Sequence, residues 1–170
     1  MLKIIGVIAL ALTVFWVGRL FSQKVKYRVG VLEQTVRMLV CMENEIRYGN
    51  TDVLTMSERI ARMEGCDRLC FLSHAAEQCK AGEPFEKAWK NQLNLCAGEM
   101  SLNGDEIGQL MMFGEVLGTT DVEGQMKNIS LYQEFFQEAL HTAREEAAIK
   151  GKLYQSLSLL ASAAVIILAV

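Results

Sequence analysis

The side chains best suited to chemistry in this 170-residue chain are a thiol and imidazole series and a set of carboxylates. Cys66, Cys70 and His74 stand at i, i+4 and i+8, with Cys79 beyond them, so two neighbouring members on one helix face could share a metal ion. The whole series spans about 12 Å of helix axis, too far for all three to reach the same ion. Small buried thiols beside a surface histidine are the simpler reading; a membrane-anchored metal or redox sensor using Cys66, Cys70 and His74 is the alternative. Glu43, Glu45 and Glu115 invite an acid–base reading. Glu43 occupies a seam position where an apolar residue is expected, so Glu43 and Glu115 are expected to accept hydrogen bonds from Tyr48, Trp89 or a helix terminus, because a buried carboxylate needs a partner.

Nothing else in the chain supplies catalytic machinery. There is no GxxxxGK[ST] loop, no GxGxxG, no HExxH and no GxSxG. His74 and His141 fall in different predicted helices and suggest no nucleophile–base pair. The expectation is therefore no catalytic residue, no cofactor and no resident metal, in a chain that binds other proteins rather than catalysing a reaction.

The elements that must position these residues are helical. One proline, Pro84, and abundant Leu, Met, Ala, Glu, Lys and Gln favour helix over strand, because unbranched side chains lose little rotamer freedom there. The five cysteines form an odd set without the spacing of a secreted disulfide framework, so free thiols in a reducing compartment are expected. Two of the densest apolar runs lie at the ends. Ile4 to Phe21 carries one charge, Arg19, and reaches about 27 Å as a helix, enough to span a bilayer, with Trp16 where an interfacial aromatic belongs. A cleaved signal peptide is the rival reading, but no small-x-small cleavage site is present, because Val17, Gly18 and Arg19 place a charge where a small residue would be needed. Leu153 to Val170 is free of charged side chains; its polar opening, Tyr154, Gln155 and Ser156, leaves an interfacial helix as the alternative to full spanning. The organisation read from this is a transmembrane helix over 1–22, a helical bundle over 23–152 and a second transmembrane helix over 153–170.

Charge sets the orientation. Arg19, Lys24, Lys26, Arg28, Lys150 and Lys152 flank the two apolar segments on their inner sides, which places the middle domain in the cytoplasm on a basic, membrane-proximal face. All 20 acidic residues lie between Gly30 and Ala147. The basic foot suits anionic membrane lipids, and the acidic body argues against a nucleic-acid partner.

Within the middle, Val25, Val29, Leu32, Val36, Leu39 and Ile46 mark a long first helix, expected to stop at Gly49-Asn50. Helices are then predicted from Thr51 or Asp52 to Glu64, from Asp67 to Ala81 with Gly82 as stop, and from Pro84 to Gly98. A fifth is capped by Asn103 and closed by Gly118, and a sixth opens at Asp121 and runs on into the second apolar segment. The fold expected is all-α: an antiparallel bundle of about six helices flanked by transmembrane helices. A methionine stripe, Met38, Met42, Met56, Met63, Met111 and Met112, is read as core filler.

Three blocks in order are more specific than any of them alone. They are Glu43-Asn44-Glu45-Ile46-Arg47-Tyr48-Gly49 followed by Thr51, the Ala88-Trp89 pair, and Phe113-Gly114-Glu115-Val116-Leu117-Gly118 with Asp121 and Gln125. With the opening Met-Leu-Lys and both apolar ends, the chain resembles the stage III sporulation protein AB family along its whole length. The resemblance implies a cytosolic helical bundle similar to the F-type platform proteins of type II secretion systems. It also implies a non-enzymatic role in the channel, or feeding tube, between mother cell and forespore, in the mother-cell membrane around the forespore. The implied partners are a secretion-type ATPase and other membrane subunits of that channel. The cysteines stand outside this resemblance and take no role from it.

Overall fold

The computed structural model describes the backbone of residues 2–49 and 52–169. It describes side chains over 23–149 apart from 50 and 51, with Thr13, Trp16, Leu20, Leu153 and Ser156 nearer the ends. Among the described residues the chain is helical and has no strand. Its helices are α1 (Leu2–Asn44), α2 (Val53–Ala61), α3 (Cys70–Lys80), α4 (Phe85–Met100), α5 (Gly104–Val116) and α6 (Val122–Ala169). At 1.5 Å per residue α1 and α6 are about 64 and 72 Å long, and α2 to α5 are short rods between them.

Local chemistry sets most boundaries. Asp52 caps α2, one carboxylate oxygen accepting the Thr55 N–H at 3.0 Å and the other the Thr55 hydroxyl at 2.7 Å. Asn103 and Glu106 cap α5 reciprocally, each side chain accepting the other's backbone N–H at 2.8 Å. Asp121 accepts the Gly124 N–H at 3.0 Å where α6 begins. Gly82 and Gly118 take the left-handed turns predicted for them, at φ +99° and +78°.

Elsewhere the boundaries move. α2 stops at Ala61 and α3 starts at Cys70, because Asp67 spends its side chain on a tight turn, accepting the Gly65 N–H at 3.1 Å. α4 does not stop at Gly98. Glycine is tolerated inside a helix at about 1 kcal/mol, and the left-handed cap falls to Ser101 at φ 57°. α1 ends in a π-helical turn, Glu45–Gly49, where the sequence predicts a glycine C-cap; Asn50 and Thr51 lie outside the described residues.

The first and last helices run antiparallel, and side-chain bonds show the register. Arg28 reaches Glu146 at 3.3 Å, Arg144 donates to Glu33 at 2.7 Å, and Gln133 donates to Glu43 at 2.9 Å, so rising numbers on α1 meet falling numbers on α6. The chain therefore leaves and returns at one pole, and the α1–α2 and α5–α6 connections form the other. Between the poles the core holds Val31, Leu32, Met38, Leu39 and Met42 from α1 against Phe71, Trp89, Phe113 and Phe136. Of the methionine stripe, Met38, Met42 and Met56 are fully buried, whereas Met63 and Met112 are exposed.

Among the described residues no helix is long and apolar enough to cross a membrane. The backbone of α1 and α6 continues as helix through both terminal apolar stretches. Most side chains of 1–22 and 151–170, on which the two expected membrane helices depend, lie outside the described residues.

Candidate functional site

The pole away from the chain ends is built from the first motif block. In the π-helical turn one extra residue enters the helical ring, which rotates the side chains that follow, and such turns recur at functional sites. Glu45 reaches across to α2 and accepts from Arg59 at 3.1 and 3.2 Å. Glu43 accepts from Arg47 at 2.8 Å and from Gln133 of α6 at 2.9 Å. With these carboxylates engaged, the turn is held to both neighbouring helices and Tyr48 is left outward, 78% exposed, with the Arg47 guanidinium 6.0 Å from its ring centre. A tyrosine so exposed contributes little to a core and much to a contact surface, because its ring offers apolar area and its hydroxyl a hydrogen bond.

The end of the third block arrives at the same pole. A Cβ on Gly118 would stand 2.8 Å from Val53 Cγ2, so the α5–α6 turn packs directly on the start of α2. Asp121 caps α6 there, and Gln125 ties the turn by donating to the Thr120 carbonyl at 2.9 Å. Glu43, Glu45, Tyr48, Gly49, Gly118, Asp121 and Gln125 thus belong to one end of the bundle.

The remaining motif residues lie in the interior. The Trp89 ring stands 4.9 Å from Phe71, 5.5 Å from Phe85 and 5.9 Å from Phe113, and Phe113 stands 5.1 Å from Tyr132, a run of rings crossing α3 to α6. The indole N–H donates to the Leu110 carbonyl at 2.8 Å, not to a carboxylate. Any Cβ at Gly114 would collide with the Trp89 indole, which explains why glycine stands there. Glu115 corrects the expectation of a near-core acid: it is exposed and pairs with Lys90 Nζ at 2.6 Å, which raises the Lys90 pKa.

The buried carboxylate is Glu106, absent from the candidates chosen by sequence. It is 1% exposed and accepts from Arg28 at 2.6 Å while closing the α5 capping box. Arg28 also reaches Glu146, and its hydrogen bond to Glu106 raises its pKa further. Arg28 therefore knots α1, α5 and α6 together and does not join Lys24 and Lys26 on an exposed basic face. Those two lysines are exposed as expected; the side chains of Arg19, Lys150 and Lys152 lie outside the described residues. The capping-box spacing was visible in the sequence, but a partner 78 positions away was not.

The thiols separate. Cys66 is buried, and burial raises its pKa and that of Cys41. Cys70 lies 2.9 Å from Cys96 of α4, whose thiol is pushed up to about 12, first by burial and then by the bond to Cys70. His74 is exposed. Cys66, Cys70 and His74 do not converge, and among the described residues no group of three or more His, Cys, Asp or Glu is placed to hold a metal ion. Burial disfavours the thiolate at Cys41, Cys66 and Cys96.

Comparison with known proteins gives one consistent result. The model of the stage III sporulation protein AB family matches residues 3–170. Stage III sporulation protein AB of Bacillus subtilis (strain 168) is 29% identical over 169 residues, covering 99% of each chain. A solved structure of stage III sporulation protein AB (SpoIIIAB) superposes with a TM-score of 0.63 at 27% identity, covering 71% of this chain and 96% of that one.

Proposed function

The chain belongs to the stage III sporulation protein AB family, and from that premise we propose that it is a non-enzymatic platform subunit of a channel between mother cell and forespore. In this reading 1–22 and 153–170 cross the mother-cell membrane around the forespore. The bundle stands in the cytosol, and the far pole meets a secretion-type ATPase. The observation that carries the reading is the antiparallel clasp of α1 and α6, which brings both terminal segments to one pole and leaves the Tyr48 pole open. Trp16, Leu20 and Leu153, at the ends, are each more than half exposed, an apolar surface that water disfavours and a bilayer accepts.

The mechanism needs no bond to be made or broken. A push on the π-helical turn is delivered to α1 directly and to α6 through Glu43 and Gln133. Three polar contacts along the clasp and the aromatic run between α3 and α6 resist sliding, so the two long helices carry the displacement together to the membrane segments. A photo-reactive amino acid in place of Tyr48, in the full chain in sporulating cells, tests this. Adducts with a secretion-type ATPase are expected. Normal protein level and spore yield with no ATPase adduct would overturn the coupling role.

A further inference from the structure

Beside the foot of the bundle lies an open cleft of about 560 Å³, lined by Gln23, Lys24, Lys26, Tyr27, Arg68, Glu99 and Ser101. Three of its seven residues are cations and one is an acid. Among the described residues, none of Lys24, Lys26 and Arg68 forms an ion pair with a carboxylate, whereas Arg28, one residue beyond Tyr27, is held by two.

Arg68 is held in place. Its backbone N–H is bonded by Gln34 at 2.7 Å, its guanidinium lies 4.9 Å from the Tyr27 ring centre, and one of its nitrogens reaches the Tyr27 carbonyl at 3.5 Å. It passes over α1 at Gly30, where a Cβ would collide with the guanidinium. A side chain fixed by stacking retains its remaining donors for a planar or tetrahedral anion at smaller entropic cost.

We propose that this cleft binds the phosphate of an anionic phospholipid headgroup, an inference that rests on reading 1–22 as a membrane segment. Height selects the occupant. Lys24 and Tyr27 lie three and six residues beyond Phe21, about 4 and 9 Å along the helix, and the headgroup layer outside the hydrocarbon is about 6 Å deep. Lys24 falls within that layer and Lys26, about 7.5 Å along, at its outer edge, while the Arg68 guanidinium stands just above them at the level of Tyr27 and Gly30. Glu99 disfavours a second negative charge on the ligand and matches a singly charged headgroup such as phosphatidylglycerol.

The full chain in neutral detergent, given equal phosphatidylglycerol and phosphatidylcholine, is read by native mass spectrometry as a ratio of retained lipids. Wild type should favour phosphatidylglycerol. Arg68→Gln should reduce the preference about fivefold, and Lys24→Gln with Lys26→Gln more, since each cation near an anionic surface contributes by about that factor. Gly30→Ala keeps every charge and displaces only the guanidinium; it should also weaken the preference, with Arg59→Gln at the far pole unchanged. Equal retention of both lipids by wild type would overturn the inference, as would unaltered preference in both Arg68→Gln and Gly30→Ala. Displacement of the lipid by millimolar glycerol phosphate would overturn it in favour of a free-phosphate site. The Tyr48 cross-link does not depend on these variants, so the platform reading and the headgroup inference fail separately.

Discussion

Two regions carry the residues by which this chain resembles its family, and they use them oppositely. Around Trp89 the motif residues face inward: the indole, Phe113 and Gly114 are buried against one another, and substitution is limited by volume. At the π-helical turn the motif carboxylates hold the backbone in place and Tyr48 faces out. A recurrent motif in a bundle therefore reports either a packing constraint or a surface, and only three-dimensional placement separates the two.

That contrast can be broken at four points, from the largest expected effect on stability to the smallest. Trp89→Ala removes the ring at the centre of the aromatic run and the indole N–H that donates to the Leu110 carbonyl; unfolding of the full chain in detergent should lose about 3–5 kcal/mol. Gly114→Ala adds one methyl against a ring that is itself confined by three others, and should cost about 1–3 kcal/mol in the same assay. Asp52→Ala, beside the exposed pole, should cost about 1 kcal/mol through its lost cap. The backbone bond from Thr55 holds the Asp52 pKa below 3.8, so this contribution is present above that pH and fades as pH falls through the lowered value. Tyr48→Ala should shift stability by less than about 0.5 kcal/mol yet lower spore yield. A Tyr48→Ala protein that unfolds, or one that sporulates normally, would erase the distinction between the regions.

What the sequence made legible was local. Helix order, the Asn103 cap, the opening of α6 at Asp121 and the Gly82 and Gly118 stops depend on residues within four positions of one another, and each is where the pattern placed it. Glu43 at the seam is partly buried, and its donors are Arg47 and Gln133, the latter 90 residues away, not Tyr48, Trp89 or a helix terminus. The covered acid is Glu106 and not Glu115, because nothing within a helical turn says which carboxylate another helix will cover. The Arg68 cleft was invisible for the same reason: it joins α1 to a loop 41 residues later. The Gly98 stop failed where a weak local signal met a helix stabilised by burial of Trp89, Leu93, Cys96 and Met100.

The Arg28 knot bears on the time at which the protein comes into being. Its two acids lie 78 and 118 residues downstream, so α1 leaves the ribosome well before either partner exists. At about 5–20 residues per second, Glu146 is made roughly 6–24 s after Arg28. Val31, Leu32, Met38, Leu39 and Met42 gain their cover in steps over that interval, as Phe71, Trp89, Phe113 and Phe136 are made in turn. The contact between Arg28 and Glu146 at the foot of the bundle therefore cannot form until the last helix has been made.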